Sequence, residues 1–368
     1  MNPYDIYRDD WAPPHCPNPK CKFHHDLPED WPFKRMGFYL RKAEPKRIRR
    51  FLCKACGVSF SSQTFSTTYW QKRPDIMPKL FDLTCGSMGN RQIANALKVA
   101  PSTIDRQLNR LGRHCALFFE EATRGLKPPD EIVIDGFESF ELSQDYPFHF
   151  HLAVDKNTSF ILGFTDSPLR RKGTMTPEQR VRREEREKVL GRPDPRAVRK
   201  DMGELLEKVT AGAEEMVVYS DAHKSYPPAM RAVPCRFKHV VTSSRKHRDQ
   251  HNNLFEINLL DLKIRHGSGN HKRETIGYSK RRNAAALRLM IFTVWRNFMQ
   301  PRRARKCKET PAMLQGLCGR VLTWEDVLAR RLFIERVQLE GRMREYYFGE
   351  VETRGLVVNR QHDLKLAV

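Results

Sequence analysis

The stretch "DEIVIDGFESFEL" (residues 130–142) places a carboxylate directly after a short apolar run. Ile132, Val133 and Ile134 have the β-branched character of a buried strand, and Asp135 follows them without an intervening turn residue. An unpaired carboxylate at the edge of a core is energetically costly, so this acid needs either solvent or a positive partner. One interpretation is an exposed turn residue that ends the strand. The other is an acid kept there for chemistry.

A second acid stands in the same relation to a second apolar run. In "EEMVVYSDAHKSY" the run ends at Asp221, and residues 130–300 alternate strand and helix patterns, which predicts an α/β domain with a mixed sheet. If the two strands are neighbours, Asp135 and Asp221 meet at one edge, where two carboxylates repel unless a cation lies between them. A pair of Mg²⁺ or Mn²⁺ ions can activate water or a 3′-hydroxyl against a phosphodiester. The sequence therefore predicts that both aspartates are catalytic magnesium ligands.

A third acid is expected from the helix after the fifth strand, and two residues compete for that role. In "LFEINLLDLKIRH", Glu256 and Asp261 are five residues apart, which is about 140° around a helix, so they cannot face the same ions. Asp261 shares a narrow polar stripe with Asn258 and Arg265 between two apolar flanks, as on a helix that lines a cleft. Asp261 is preferred and Glu256 is the alternative, although either residue is also compatible with a solvated helix face. Weaker acidic candidates are Glu138, Glu141 and Glu274.

The N-terminal segment carries two pairs of cysteines, in "CPNPKC" and "CKACG". The pairs are Cys16 with Cys21 and Cys53 with Cys56. Four thiolates make a closed tetrahedral shell for structural zinc, and the basic strand patterns between the pairs predict a zinc ribbon over residues 12–65. His24 and His25 are substitute ligands, and the alternative is unpaired thiols in a disordered arm. Arg49 and Arg50 are expected on an exposed basic face of the ribbon that suits phosphates.

Residues 74–124 contain three helical patterns, and the last two have the arrangement of a DNA-binding helix pair. "NRQIANALKV" and "PSTIDRQLNRLGRHC" are separated by a tight turn, which predicts a helix-turn-helix. A plain three-helix bundle is the alternative. The outward face of the second helix is expected to carry side chains that suit base edges and phosphates. These side chains are Ser102, Thr103, Arg106, Gln107 and Arg110.

The charge balance favours an anionic polymer as partner. The 368 residues include 66 Lys and Arg against 44 Asp and Glu, a formal net charge of +22, which points to nucleic acid. No run of 18 or more apolar residues and no signal peptide is evident, so we expect an intracellular, cytoplasmic protein without a membrane partner. A helix over 275–298 is expected to turn Lys280 and Arg281 toward phosphates. The charged insert 170–200 and the basic, helical extension 301–368 have no assigned role.

Taken together, these motifs over residues 12–300 resemble bacterial insertion-sequence transposases of the DDE class. The stretch "NHKRETIGYSKRRNAAALRLMIFTVWRNFM" is similar to what such transposases carry after the third acid. The resemblance implies an RNase H-like catalytic domain and Mg²⁺-dependent cleavage and joining of double-stranded DNA. There would be no covalent protein–DNA intermediate. It also implies recognition of terminal inverted repeats, a homo-oligomer on DNA and a location at the bacterial nucleoid. It places Glu256 at the family's glutamate, against the helical-wheel preference.

Two other functions fit the same residues. The first is a DNA-binding regulator, or a domesticated transposase, whose catalytic domain survives only as a scaffold. The second is a nuclease on the same sheet that cuts DNA without joining it. The intact Asp135 and Asp221 favour an active enzyme.

Overall fold

The computed structural model describes residues 5–26, 30–243, 245–272, 275–303 and 305–359. Glu274, one of the weaker acidic candidates, lies outside the described residues. Two hydrophobic clusters organise the chain, a small one around the four paired cysteines and a large one around a five-stranded sheet.

The small cluster is built by an antiparallel sheet and the loops that precede it. After the one-turn helix α1 (Lys22–His25), the strands β1 (Phe33–Leu40), β2 (Arg47–Cys53) and β3 (Ser59–Ser61) pair in the order β1-β2-β3. The aromatic rings of Phe51 and Phe60 stack with centroids 5.5 Å apart and form the floor of the cluster. Aromatic rings bury a large apolar area each, so they give this small sheet a hydrophobic core despite its few residues.

Three helices follow, and the last is long. They are α2 (Ile76–Cys85), α3 (Asn90–Ala96) and α4 (Pro101–Ala122). Pro101 starts α4 at a position where its missing N–H is not needed. Ile104, Leu108 and Leu111 are buried, as their spacing predicts. The three helices share the large hydrophobic cluster with the sheet, so they are packed onto the α/β core.

The central sheet has five strands and mixed polarity. The strands are β4 (Glu131–Glu141), β5 (Ser143–Asp155), β6 (Ile161–Pro168), β7 (Glu215–Ser220) and β8 (Arg236–Val241). Their order is β6-β5-β4-β7-β8, with β4, β5 and β6 antiparallel and with β7 and β8 parallel to β4. The predicted α/β class with a mixed sheet is confirmed, and the strand order is consistent with an RNase H-like fold.

Helices connect and cover these strands. They are α5 (Pro177–Leu190), α6 (Ala197–Val209), α7 (Tyr226–Met230) and α8 (Phe255–Gly267). The charged insert 170–200 contains α5, which has no buried residue. Asp145 on β5 and Glu187 on α5 hold this segment to the sheet through ion pairs with Arg171, Arg186 and Arg170.

The C-terminal third returns to the core. It contains α9 (Arg282–Val294), α10 (Pro311–Leu314), α11 (Trp324–Val327) and α12 (Gly341–Phe348). Helix α9 crosses α4 so closely that a Cβ added to Gly112 would lie 2.6 Å from the Cβ of Leu287. Tyr346 and Tyr347 of α12 are buried, so the extension packs on the core.

The predicted helix over 275–298 starts later than expected, at Arg282. The chain before it makes a close turn, in which a Cβ on Gly277 would lie 2.8 Å from the carbonyl oxygen of Gly269. The carbonyl of Lys280 accepts a hydrogen bond from the N–H of Leu142 at 3.1 Å, outside any helix. In the part of the chain that the structure describes, no helix is both long and apolar enough to cross a bilayer.

Candidate functional site

The register of β4 against β7 brings Asp135 level with Asp221. The two parallel strands pair Glu131 with Val217 and Val133 with Tyr219, and the same offset continued by two residues aligns the two aspartates. The sequence predicts that Asp135 ends its strand, and the structure contradicts this. Strand β4 continues past Asp135 to Glu141 and forms a hairpin with β5. Asp135 lies instead where the other neighbour of β4, which is β7, stops at Ser220. The carboxylate of Asp135 therefore lies where the β4–β7 pairing ends, although β4 itself continues alongside β5.

Helix α8 brings a third acid to the same region, because it packs on β4. Burial raises the pKa of Asp135 to about 7, and the negative charges of Asp221 and Asp261 push it in the same direction. The N–H of Gly136 and the charge of Arg248 act against this rise. The three aspartates thus form one electrostatic unit, although they are far apart in sequence.

The oxygens of this unit are only partly occupied. Oδ1 of Asp221 accepts a hydrogen bond from the N–H of His223 at 3.0 Å. Oδ2 of Asp261 accepts one from Nε of Arg265 at 3.2 Å. Oδ1 of Asp261 is buried and has no hydrogen-bond partner among the described residues. A buried carboxylate oxygen without a donor is energetically unfavourable and is suited to a cation.

Glu256 has a different environment from Asp261 on the same helix. Its carboxylate accepts hydrogen bonds from Arg302 at 3.2 Å, from Arg303 at 3.1 Å and from the hydroxyl of Ser159. Its side chain is only 10% exposed. The Glu256 carboxylate is therefore already paired inside the protein, so its oxygens are not available to a metal ion.

The remaining acidic candidates are also separate from the three aspartates. Glu138 is exposed, and Glu141 is buried beside Arg282, with a carboxylate-to-guanidinium distance of 3.9 Å. Burial raises the pKa of Glu141 to about 7.

The three aspartates offer the donors that hard divalent cations prefer. Carboxylate oxygens suit Mg²⁺ and Mn²⁺, so the residues present fit the predicted ions. Their oxygens are not drawn into one tight group. Within the described residues, only the four paired cysteines form a group whose ligand atoms all lie within 4.8 Å. An open set of this kind is compatible with two ions and accessible substrate positions, rather than with a closed structural site.

The cysteine cluster has the dimensions of a tetrahedral metal site. Sγ of Cys16 lies 3.6 Å from Sγ of Cys56, and Sγ of Cys21 lies 3.9 Å from Sγ of Cys53. Four sulfurs at about 2.3 Å from a zinc ion stand about 3.8 Å apart, so these separations fit zinc. The Nε1–H of Trp31 donates to Sγ of Cys53 at 3.4 Å.

The cysteines of this cluster differ in ionisation, because burial raises the pKa of Cys16 and of Cys21 whereas the pKa of Cys53 is lowered. Burial raises the pKa of Cys53, but the hydrogen bond from Trp31 and the backbone N–H groups of Cys56 and Ala55 outweigh it and lower that pKa to about 7. The two substitute ligands are not part of the cluster. Nδ1 of His24 contacts the carbonyl oxygen of Cys16 at 2.8 Å, which orients the first cysteine loop.

The predicted DNA-binding side chains occupy three kinds of position. Exposed residues are Arg50, Ser102, Arg106, Lys280 and Arg281. Arg49 is half-buried, with its guanidinium 3.9 Å from the ring centre of Phe38 and 3.4 Å from Asp9. Thr103 and Gln107 are half-buried on α4.

Arg110 was expected to point outward, and the structure contradicts this. It is only 7% exposed, because α12 and the loop before it pack over this turn of α4. Burial, together with the charges of Arg331 and Arg113, lowers the pKa of Arg110 to about 9. The helical period alone could not show that a segment more than 200 residues away covers this position.

Several of these residues line one cavity of about 890 Å³ between α4, the start of α9 and α12, which we call the α4 cavity. From the predicted set it includes Thr103, Arg106, Gln107, Arg110 and Arg281. Sequence reasoning missed Trp70 and Tyr347, which also line it. No local signal identified them, because they come from a loop and from the C-terminal extension.

The comparisons with known proteins give only distant similarity. No family model and no curated protein sequence matches the chain. One similar solved structure is the simian T-cell lymphotropic virus intasome in complex with the PP2A regulatory subunit B56 gamma, with 16% identity, a TM-score of 0.25 and 52% of this chain covered. Another is the HTLV-2 integrase catalytic core domain in complex with magnesium, with 12% identity, a TM-score of 0.22 and the same coverage. This chain spans 55% of the intasome chain and 98% of the core-domain chain. Its similarity to these retroviral integration proteins is thus limited to about half of its residues.

Proposed function

We propose that the protein is a metal-dependent DNA transposase that cleaves transposon ends and joins them to target DNA. The observation that carries the proposal is the electrostatic convergence of Asp135, Asp221 and Asp261 at the point where the β4–β7 ladder ends. The net charge of +22 supports a DNA substrate. The resemblance of the motifs to insertion-sequence transposases of the DDE class supplies the reaction type.

Each aspartate has a defined part in this proposal. Asp135, Asp221 and Asp261 would hold Mg²⁺ or Mn²⁺, which would polarise the scissile phosphate and activate the attacking oxygen. Asp261, not Glu256, is the third acid, because Oδ1 of Asp261 is unpaired among the described residues whereas Glu256 is held by two arginines. Arg265 bonds to Asp261 and orients its carboxylate. The cysteine cluster would hold structural zinc and fix the ribbon that contacts DNA.

The experiment is a cleavage and joining assay on defined DNA. Duplexes that bind the protein are first selected from a random-sequence library and labelled at the 5′ ends, which leaves the 3′-hydroxyls free to join. They are then incubated with a supercoiled plasmid and either Mg²⁺ or Mn²⁺. Wild type should nick the plasmid and join labelled ends to it. Asp135→Asn, Asp221→Asn and Asp261→Asn should each reduce product by about 1,000-fold, since losing a metal ligand removes several kcal/mol of transition-state stabilisation.

Glu256→Gln is the matched control, because it removes a carboxylate from the same helix without touching the aspartate unit. It should retain activity within about threefold of wild type, as expected for a residue outside the reacting centre. Nicking without joining would identify a nuclease, and binding without either reaction would identify a regulator. Full activity in the three aspartate variants would refute the proposal.

A further inference from the structure

The α4 cavity differs from the other large cavity of the protein in its charge. A cavity of about 980 Å³ beside β6 has both glutamates and basic residues in its lining. The lining of the α4 cavity, as far as the structure describes it, has no carboxylate. Its basic members are Lys72, Arg73, Arg106, Arg110, Arg113 and Arg281, of which Arg73 forms an ion pair with Asp75 outside the lining. A concave surface of one sign concentrates a ligand of the opposite sign.

Arg110 is a buried cation for which the described residues supply no carboxylate partner. Its Nε and one terminal nitrogen have no hydrogen-bond partner among the residues described. The strongest electrostatic influences on it come from two arginines, Arg331 and Arg113, and from the hydroxyls of Tyr347 and Tyr69. A charge buried in this way destabilises the folded protein unless a ligand compensates it.

Other unpaired polar atoms converge on the same space. They are Oε1 of Gln71, Oε1 of Gln107, Oδ1 of Asn283 and Oη of Tyr347, all buried and without partners in the described part of the chain. Buried polar atoms are nearly always hydrogen-bonded, so a group of them in one cavity indicates a missing partner. The set mixes amide acceptors with guanidinium and hydroxyl donors, which is more than a simple phosphate requires.

An aromatic surface stands at the mouth of the cavity. Trp70 is 65% exposed and has a backbone φ of 59°, which is uncommon for a bulky residue. An indole held in the open beside a basic cavity provides a platform on which a nucleobase can stack.

We propose that the α4 cavity binds one unpaired nucleotide of the DNA. The base would stack on Trp70 and form hydrogen bonds with the side-chain amides, and the phosphate would pair with Arg110. A nucleotide combines the three chemistries that the cavity presents, namely a flat π-face, hydrogen-bonding edges and an anion. Unpairing a base costs energy, so the site favours DNA in which a nucleotide is already unpaired. The inference rests on the DNA-binding part of the proposed function and is independent of the three aspartates.

The test compares two fluorescein-labelled duplexes in the absence of Mg²⁺. One is fully paired, and the other has a single unpaired 2-aminopurine at its centre. Fluorescence anisotropy gives the affinities, and 2-aminopurine emission reports stacking of the base. Wild type should bind the second duplex about tenfold more tightly, with quenched emission. Trp70→Ala should reduce this preference to about twofold or less, and Trp70→Phe should retain most of it.

Arg110→Met separates binding from structure. It should abolish the preference while leaving the melting temperature of the free protein unchanged or raised, because an apolar side chain replaces an uncompensated buried charge. Arg182→Met, on the exposed face of α5, is the control and should change neither property. A lowered melting temperature with the preference intact would show that Arg110 is structural and would overturn the assignment.

Two further outcomes would also refute the inference. If wild type binds both duplexes equally, the cavity does not take an unpaired nucleotide, although the DNA-binding proposal would survive. If free deoxyadenosine monophosphate displaces the 2-aminopurine duplex at concentrations close to those of an unlabelled copy of that duplex, the ligand is a free nucleotide and not DNA. Poor competition by the mononucleotide supports the DNA assignment.

Discussion

The cysteine cluster and the aspartate unit are both proposed to hold metal ions, but they are assembled in opposite ways. The sulfurs come from one loop, from the end of β2 and from the turn after it, and they already have the spacing of a tetrahedral site. The aspartates come from β4, from the end of β7 and from α8, and they remain an open group. This difference agrees with the proposed roles, since a closed set satisfies a structural ion completely whereas an open set leaves positions for substrate.

The largest predicted difference between the two sets is in stability. Loss of metal from the cysteine cluster should unfold the small sheet. Cys53→Ser should lower zinc affinity by about 100-fold or more and unfold the small sheet, because this sheet has few apolar residues of its own. Zinc content by mass spectrometry and a melting curve followed by tryptophan fluorescence are the measurements. Cys318→Ser, outside the cluster, should change neither. Equal zinc content in wild type and Cys53→Ser would rule out the four-cysteine site.

A smaller effect distinguishes the two acids of α8. Glu256→Gln should reduce the free energy of unfolding by about 2 kcal/mol, because it leaves Arg302 and Arg303 without their carboxylate in a partly buried place. Asp261→Asn should change it by less than about 0.5 kcal/mol, since within the described residues Asp261 has one ion pair, which is partly exposed, and asparagine keeps an oxygen for Arg265. Urea unfolding measures both. The reverse order would mean that Asp261, not Glu256, is the structural acid.

A pH-dependent effect is expected from a buried histidine on α4. Burial lowers the pKa of His114 to about 4, against a hydrogen bond between its Nε2 and the carbonyl oxygen of Val327 at 2.7 Å. Because the folded-state pKa lies below the unfolded value of about 6.5, the unfolded chain binds more protons between these limits. Stability from this group is therefore complete above pH 6.5 and falls as the pH decreases toward 4.

The measurement is the difference between wild type and His114→Gln across that pH range. Glutamine keeps an N–H for Val327 but does not titrate. Between about pH 6.5 and 4, wild type should lose up to about 3 kcal/mol more than the variant. Parallel pH profiles would show that His114 is not buried as a neutral group.

The sequence predicted the local features of both regions. Cysteine spacing identified the four sulfurs, and the two acids after apolar runs identified residues that the β4–β7 register brings level. The helical wheel placed Asp261 and Glu256 on different sides of α8, and the structure gives them different partners, Arg265 for Asp261 and Arg302 with Arg303 for Glu256. Each of these signals lies within about a dozen residues, which is the range over which strand and helix periods act.

Features that depend on distant segments were not predictable. Arg110 is covered by the C-terminal extension, and Glu256 is paired with arginines about 46 residues later. Phe333 packs into the cysteine cluster from the far end of the chain. Such contacts leave no period in the sequence, because they depend on the assembled core.

The most direct test of the account is divalent-ion binding by the three aspartates. Mn²⁺ bound to the protein in the presence of the selected duplex can be counted by electron paramagnetic resonance, without any need for turnover. Wild type and Glu256→Gln should bind Mn²⁺ equally, and Asp135→Asn and Asp221→Asn should lose that binding. Equal Mn²⁺ binding by all four proteins, or none by wild type, would contradict the claim that these carboxylates form a cation site.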